Sequence, residues 1–405
     1  MRPHLHHSMP LLASVLLFQA VQAASPRLSV DTVSSAPNAS KLNLFAAGSH
    51  TAWNGTAGSY IAFRIVSAPQ SLFLTWTDAY GLWSDSIGTK SSCKDSNSTT
   101  PRAYAILTSA NSTTGIDGTW DTSVSVVNNV VTARAHQIAL SGRRWVKFAQ
   151  ISGTSRIDEI ALYDANLLGN DRWLFLGNSI TEITFKGFVP DTGFAEQVND
   201  KIPGRYPAFL RGGIPCIHSY DASADISKYL KYASNVKYWA IELGTNDGWG
   251  NGSYNLPGFK SSMTIIIDSA LAHGITPIIA RVMATDSAVA TWQIDPGYPA
   301  AVDSLQKAFH LPAGPDFNGW FRAHPEQIGS DGVHPNAAGA ASIQRMWAQV
   351  ALQQQTASLA IPLPDRKPTP NGNAARLNVG QGVPRGVDPL GRAAGRSFGV
   401  DFPVP

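Results

Sequence analysis

The sequence predicts two folds in series, an all-β domain followed by an α/β domain with a doubly wound sheet. Three observations carry this. Apolar runs of strand length end abruptly at glycine: Arg172-Trp173-Leu174-Phe175-Leu176 before Gly177, and Val236 to Leu243 before Gly244. Helix then alternates with strand: Ser261 to His273 is apolar on a helical period and stops at Gly274, after which Thr276 to Val282 reads as a buried strand. Upstream, residues 25–168 show short alternating runs between Ser, Thr, Asn and Gly clusters and no long helix, the pattern of a β-sandwich.

The chain divides accordingly. Residues 1–23 combine a basic Arg2, an apolar stretch from Met9 to Ala20 and small residues at Val21-Gln22-Ala23, which reads as a secretory signal peptide. Its apolar run is too short to span a bilayer, and no later stretch reaches about 18 uninterrupted apolar residues, so an exported protein that does not cross a membrane is expected. Residues 24–168 form the β domain and 169–361 the α/β domain. Residues 362–405 are rich in Pro and Gly with few bulky apolar groups, so a disordered tail is expected, with Asp388-Pro389-Leu390-Gly391-Arg392 as a less favoured sorting-signal remnant.

Within the β domain, Phe63 to Val66, Ser71 to Trp76, Ala103 to Leu107 and Arg144 to Ala149 have strand lengths and turn-rich borders. Trp76, Tyr80 and Trp83 are candidates for a sugar-stacking platform, although burial in the core is the favoured reading for each. Sequons at Asn38, Asn54, Asn97, Asn111 and Asn251 matter only in a host that glycosylates. The two cysteines, Cys93 and Cys216, fall in different expected domains, so a disulfide between them is not favoured. A formal net charge of +3 is close to balance and gives no case for a nucleic-acid partner.

Three segments carry chemistry: Gly177-Asn178-Ser179-Ile180-Thr181, Gly244-Thr245-Asn246-Asp247 and Asp331-Gly332-Val333-His334-Pro335. Ser179 stands at a strand-to-helix junction, where unpaired first-turn N–H groups and the helix dipole favour negative charge. A serine hydroxyl needs a base to act as a nucleophile, and His334 with Asp331 three residues before it supplies an imidazole and its orienting carboxylate. Asn246 follows the second strand, at the sheet edge where ligands bind, and can donate to an oxyanion. Taken singly, the segments also fit a helix N-cap, a polar turn and a loop before a helix; their joint occurrence behind strands favours catalysis. After the last segment, Asn336-Ala337-Ala338-Gly339 leads into an alanine-rich helix from Ala340 to Gln354 that would hold the histidine loop. Trp249, Trp292, Tyr298 and Trp320 are candidate cleft residues, with one or two expected to line it.

This set resembles the SGNH hydrolases, the GDSL-like esterase and lipase superfamily, over about residues 170–355. The resemblance implies a three-layer α/β/α fold with a mainly parallel five-stranded sheet. It implies a catalytic Ser179, Asp331 and His334, with an oxyanion hole formed by the Ser179 N–H, a second-block N–H and Asn246. Two positions depart from the family pattern. Gly-Asn-Ser replaces the commoner Gly-Asp-Ser, which removes a charge beside the nucleophile. Gly213-Ile214-Pro215-Cys216-Ile217-His218-Ser219 places Cys216 where the oxyanion glycine is expected, with Asp221 the alternative under a shifted alignment and His218 read as structural. Tyr104 to Ser109 with Gly118-Thr119-Trp120, and Arg156 to Asp164, resemble the galactose-binding-like, discoidin-type jelly roll.

The expected activity is that of a secreted serine esterase removing O-acetyl groups from an acetylated polysaccharide or oligosaccharide, with no metal or other cofactor. A short-chain lipase or general esterase, and a catalytically degenerate glycan-binding adhesin, remain the alternatives.

Overall fold

The computed structural model describes residues 25–37, 43–45, 52–79, 83, 99–185, 193–248, 255–290 and 293–360. The expected signal peptide, the expected tail, Cys93, Tyr80, Trp249 and Trp292 lie outside them. Both sheets belong to one compact unit.

The first lobe is antiparallel. It comprises β1 (Val30–Ala36), β2 (Trp53–Gly55), β3 (Tyr60–Ile65), β4 (Ser71–Asp78), β5 (Thr100–Ser109), β6 (Asp121–Val126), β7 (Ala133–Ala139) and β8 (Trp145–Asp164). The expected strand Arg144 to Ala149 and the jelly-roll-like run Arg156 to Asp164 fall in one 20-residue strand, β8. Its first half pairs with β3 and β5 and its second half with β2 and β4, so β8 serves both halves of the sheet. The apolar residues on its inward side, Val146, Phe148, Ile157, Ile160 and Leu162, join Phe63, Leu74, Trp76, Tyr104 and Ile106 in one buried cluster.

The second lobe is a five-stranded parallel sheet in the order β10-β9-β11-β12-β13. Its strands are β9 (Arg172–Gly177), β10 (Ala208–Gly213), β11 (Tyr238–Glu242), β12 (Thr276–Arg281) and β13 (Ala313–Asp316). A short α1 (Ala165–Leu168) joins the lobes, and α2 (Ser179–Phe185), α3 (Phe194–Lys201), α4 (Ser219–Ala224), α5 (Ile226–Tyr232), α6 (Leu256–Ala272), α7 (Gly297–Ala308), α8 (Phe317–Ala323) and α9 (Ala337–Ala360) connect or cover the strands. Strand periodicity sorts the side chains: Leu174 and Leu176 enter one cluster with residues of α5, α6 and α7, whereas Trp173 and Phe175 enter another with residues of α2, α3, α8 and α9. Buried on both faces, the sheet needs the near-continuous apolar runs seen in the sequence. Gly274 takes a positive φ of 69° just past α6, as its reading as a C′ glycine requires.

The lobes share a core. Phe73, Trp83, Val131, Ala161 and Tyr163 of the first lobe belong to the same cluster as Leu174, Tyr229 and Trp239 of the second. Trp83 stacks on Tyr229 with ring centroids 5.0 Å apart. A buried ionic network reinforces the contact: Arg211 of β10 reaches Asp158 (3.2 Å) and Glu159 (2.7 Å) of β8. Arg27 donates to the Tyr163 hydroxyl at 3.0 Å and lies 3.6 Å from Glu159.

Two expectations change here. Trp76 and Trp83 are 0% and 1% exposed, so neither offers a face to a sugar. Trp76 instead donates its indole N–H to the Tyr104 hydroxyl at 3.1 Å. Cys216 is disulfide-bonded, contrary to the expectation drawn from separate domains. The sequence's other cysteine is Cys93.

Candidate active site

The strand order places the sheet's reversal between β9 and β11, because β10 lies on one side of β9 and the later strands on the other. At such a switch point the loops after the two central strands diverge and leave a crevice at their carboxyl ends. Ser179 follows β9 by two residues and Asn246 follows β11 by four, so the two segments singled out in the sequence flank this crevice.

Ser179 is the first residue of α2. The turn into the helix is tight, since a Cβ on Gly177 would fall 2.7 Å from the Glu242 carbonyl oxygen, and one on Gly213 would collide with the Glu182 amide nitrogen. Only glycine admits these approaches. Asn178, fully buried, accepts the Ile180 amide on Oδ1 at 2.8 Å and so caps the first turn.

The Ser179 hydroxyl lies 2.8 Å from Nε2 of His334, and His334 Nδ1 lies 2.6 Å from Asp331 Oδ2. With Nδ1–H donating to the carboxylate, Nε2 presents its lone pair to the serine and can accept its proton. The other Asp331 oxygen, Oδ1, accepts the amides of Val333 and His334, each at 3.0 Å. Burial raises the Asp331 carboxyl, but the His334 ring and these two amides outweigh it and hold the group below its ordinary 3.8. The carboxylate therefore stays ionised beside the imidazole. The loop itself is braced: Gly332 has φ +72° and its carbonyl accepts the Asp286 amide at 2.8 Å. Asn336 donates to the Glu326 carbonyl at 2.8 Å and accepts the Gly339 amide at 3.1 Å, capping α9.

Asn246 donates Nδ2–H to the Ile217 carbonyl at 2.9 Å, which fixes the amide against the segment containing Cys216. That segment starts beside the serine turn, because the Ile214 amide donates to the Gly177 carbonyl at 2.9 Å. Cys216 has φ +60°, a left-handed conformation unusual for a side chain with a Cβ and natural for glycine. Ser179, His334 and Asp331 are thus joined directly, whereas Asn246 and Cys216 are linked to them through Ile217, Ile214 and Gly177. Asp221 accepts the His218 amide at 3.0 Å and lies 3.2 Å from that ring's Nδ1, a local cap of α4.

The sequence reading missed two carboxyls, one buried and one half-buried. Glu242, at the end of β11, accepts from Asn178 Nδ2 (3.3 Å), Thr181 Oγ1 (3.2 Å) and Thr245 Oγ1 (3.4 Å). Burial pushes it up from 4.5 to about 7 against the opposing effect of those bonds. Asp247, also raised by burial, accepts the Ser219 hydroxyl at 2.5 Å and its amide at 3.1 Å, while its own carbonyl accepts the Tyr298 hydroxyl at 2.9 Å. The available signal for Glu242 was a carboxylate inside an apolar strand, which is tolerated only with partners.

Of the aromatic candidates, Tyr298 is buried and Trp320 is half-buried, donating to Gln327 Oε1 at 3.0 Å. A cavity of about 230 Å³ adjoins the histidine loop, lined by Thr285, Asp286, Gln293, Ile294 and Arg322 among others. Among the described residues no His, Cys, Asp and Glu cluster suits a metal ion, and no helix is long and apolar enough to cross a membrane.

The sequence matches no family model and no curated protein. Solved structures with local likeness include the lipase/acylhydrolase of Enterococcus faecalis, at 16% identity over 45% of this chain and 96% of that one, with a TM-score of 0.38. The acetylxylan esterase Axe2 of Geobacillus stearothermophilus matches at 17% identity over 44% and 93%, TM-score 0.37. The acetyl xylan esterase AlAXEase matches at 18% over 47% and 100%, TM-score 0.35.

Proposed function

We propose that this protein is a serine esterase of the SGNH type, and that its substrates are O-acetyl groups on a polysaccharide or oligosaccharide. The observation that carries the hydrolase reading is the unbroken chain from the Ser179 hydroxyl through His334 to Asp331. Ser179 Oγ attacks the ester carbonyl as its proton passes to His334 Nε2, and the imidazolium is stabilised by Asp331. The tetrahedral oxyanion is received by the N–H groups of Ser179 and Cys216 and by Asn246. His334 then protonates the departing sugar alkoxide, leaving acetyl-Ser179. Water, deprotonated by the same nitrogen, attacks the acyl-enzyme and releases acetate with the serine hydroxyl restored.

The acetyl-carbohydrate substrate rests on the sequence resemblance and is the finer part of the reading. The antiparallel lobe, which we read as a jelly roll, packs against the hydrolase lobe and offers neither Trp76 nor Trp83 to a sugar. Export through residues 1–23 is part of the same proposal, supported by a disulfide at Cys216 that suits an oxidising compartment.

The test is acetate release from acetylated xylan and from 4-nitrophenyl acetate by wild type and Ser179→Ala, with 4-nitrophenyl octanoate as the acyl-length control. Turnover of both acetyl esters by wild type alone is expected. Turnover surviving in Ser179→Ala would remove the nucleophile, and a strong preference for octanoate would replace the deacetylase with a lipase.

A further inference from the structure

Glu242 stands at the junction of the two segments that carry the site. One oxygen, Oε1, accepts from Asn178 Nδ2 and Thr245 Oγ1, and the other accepts from Thr181 Oγ1. Asn178 immediately precedes Ser179 and caps its helix through the Ile180 amide. Thr181 lies on the same first turn, and Thr245 immediately precedes Asn246. The carboxyl therefore bridges the nucleophile turn and the asparagine loop from below, in a pocket where Asn178 is 0% and Glu242 2% exposed. It touches no reacting atom.

We propose that Glu242 is a positioning residue that orients the Ser179 turn through the Asn178 amide. The amide is suited to this place in a way that an aspartate is not. Its oxygen caps the Ile180 amide while its nitrogen donates to Glu242, and aspartate has no donor for the second contact. Two carboxyls sharing a buried site cannot both ionise without a large penalty.

The inference rests on the serine-esterase reading, and the experiment separates the two. Wild type, Asn178→Asp, Glu242→Gln, Glu242→Ala and the double variant Asn178→Asp/Glu242→Gln are compared in kcat and KM for 4-nitrophenyl acetate. Labelling of Ser179 by a fluorophosphonate is followed in parallel. Displacing the nucleophile turn should lower kcat by about 10- to 100-fold in Asn178→Asp and in Glu242→Ala, with KM changing by less than about threefold. Glu242→Gln, which retains an acceptor for Asn178, should lose only a few-fold, roughly fivefold or less. In the double variant the introduced glutamine can donate to the introduced aspartate, so kcat should return to within about fivefold of wild type. Should Asn178→Asp alone fail to fold, a folded and active double variant gives the same answer. Asn178→Asp as active as wild type, or a double variant no better than Asn178→Asp, would overturn the role of Glu242. Absence of fluorophosphonate labelling in wild type would instead overturn the esterase reading, and the positioning role with it.

Discussion

Replacing Glu242 by glutamine removes a buried ionisable group at nearly constant shape, and the stability it changes should depend on pH with a defined sign. In the folded protein burial raises this carboxyl from 4.5 to about 7. Between those values the folded chain holds a proton that the unfolded chain has released, so wild-type stability falls as pH rises through the window. The contribution is fully present below about pH 4.5 and lost above about pH 7. At about 1.36 kcal/mol per pH unit the full excursion is roughly 3 kcal/mol. Other groups act in or near the same range. His136, kept neutral by burial and by Arg134 with a pKa lowered to about 3, makes stability rise with pH up to its ordinary 6.5. Asp247, raised by burial, has the same sign as Glu242, and Asp331, held below 3.8, acts only at lower pH. Their effects are common to both proteins and cancel in the difference. Urea unfolding of wild type and Glu242→Gln at about pH 5 and pH 8 should therefore show the variant gaining about 2–3 kcal/mol relative to wild type at the higher pH. A difference constant to within about 0.5 kcal/mol across that range would refute the raised carboxyl and the protonation argument with it.

Two further outcomes follow from the geometry. Asn246→Ala should lower kcat for 4-nitrophenyl acetate by about 10²- to 10³-fold with little change in KM, because the lost donor acts on the transition state; a rise in KM at constant kcat would make Asn246 a ground-state contact. Arg211→Met removes the cation shared by Asp158 and Glu159 and should cost about 3–5 kcal/mol in urea unfolding; a loss below about 1 kcal/mol would show that the bridge between the lobes contributes little.

What the sequence disclosed was what is local in it. Asp331 and His334 lie in one turn, so their spacing already implied a carboxylate against a ring, and the structure puts Nδ1 2.6 Å from Oδ2. The strands before Ser179 and Asn246 were legible because a sheet covered on both faces requires continuous apolar runs. Strand β10 was not. Its sequence, Ala208 to Gly213, contains Arg211 and ends in two glycines, and the partners of that charge, Asp158 and Glu159 of β8, lie over 50 positions away. Glu242 was hidden for the same reason, since its acceptors are satisfied by Asn178 and Thr181, which are remote in sequence. The disulfide at Cys216 was discounted on the premise that its two cysteines occupy separate domains, and the shared core of Trp83, Tyr229 and Trp239 removes that premise.

That shared core also changes what the antiparallel lobe is for. Had it been an appended binding module, its contacts with the α/β lobe would be few and exposed. Instead β8 anchors Arg211 in the middle of β10, the edge strand whose carboxyl end runs through Gly213 and Ile214 into Cys216. Gly213 pairs with Gly177 beside the serine turn, and the Ile217 carbonyl holds Asn246. Edge strands pair on one side only and are the least constrained part of a sheet. Here the segment that follows the carboxyl end of β10 contains Cys216, and the Arg211 ion pairs hold the strand that leads into it. The lobe that reads in the sequence as a separate β-sandwich domain is, physically, part of the support of the candidate site.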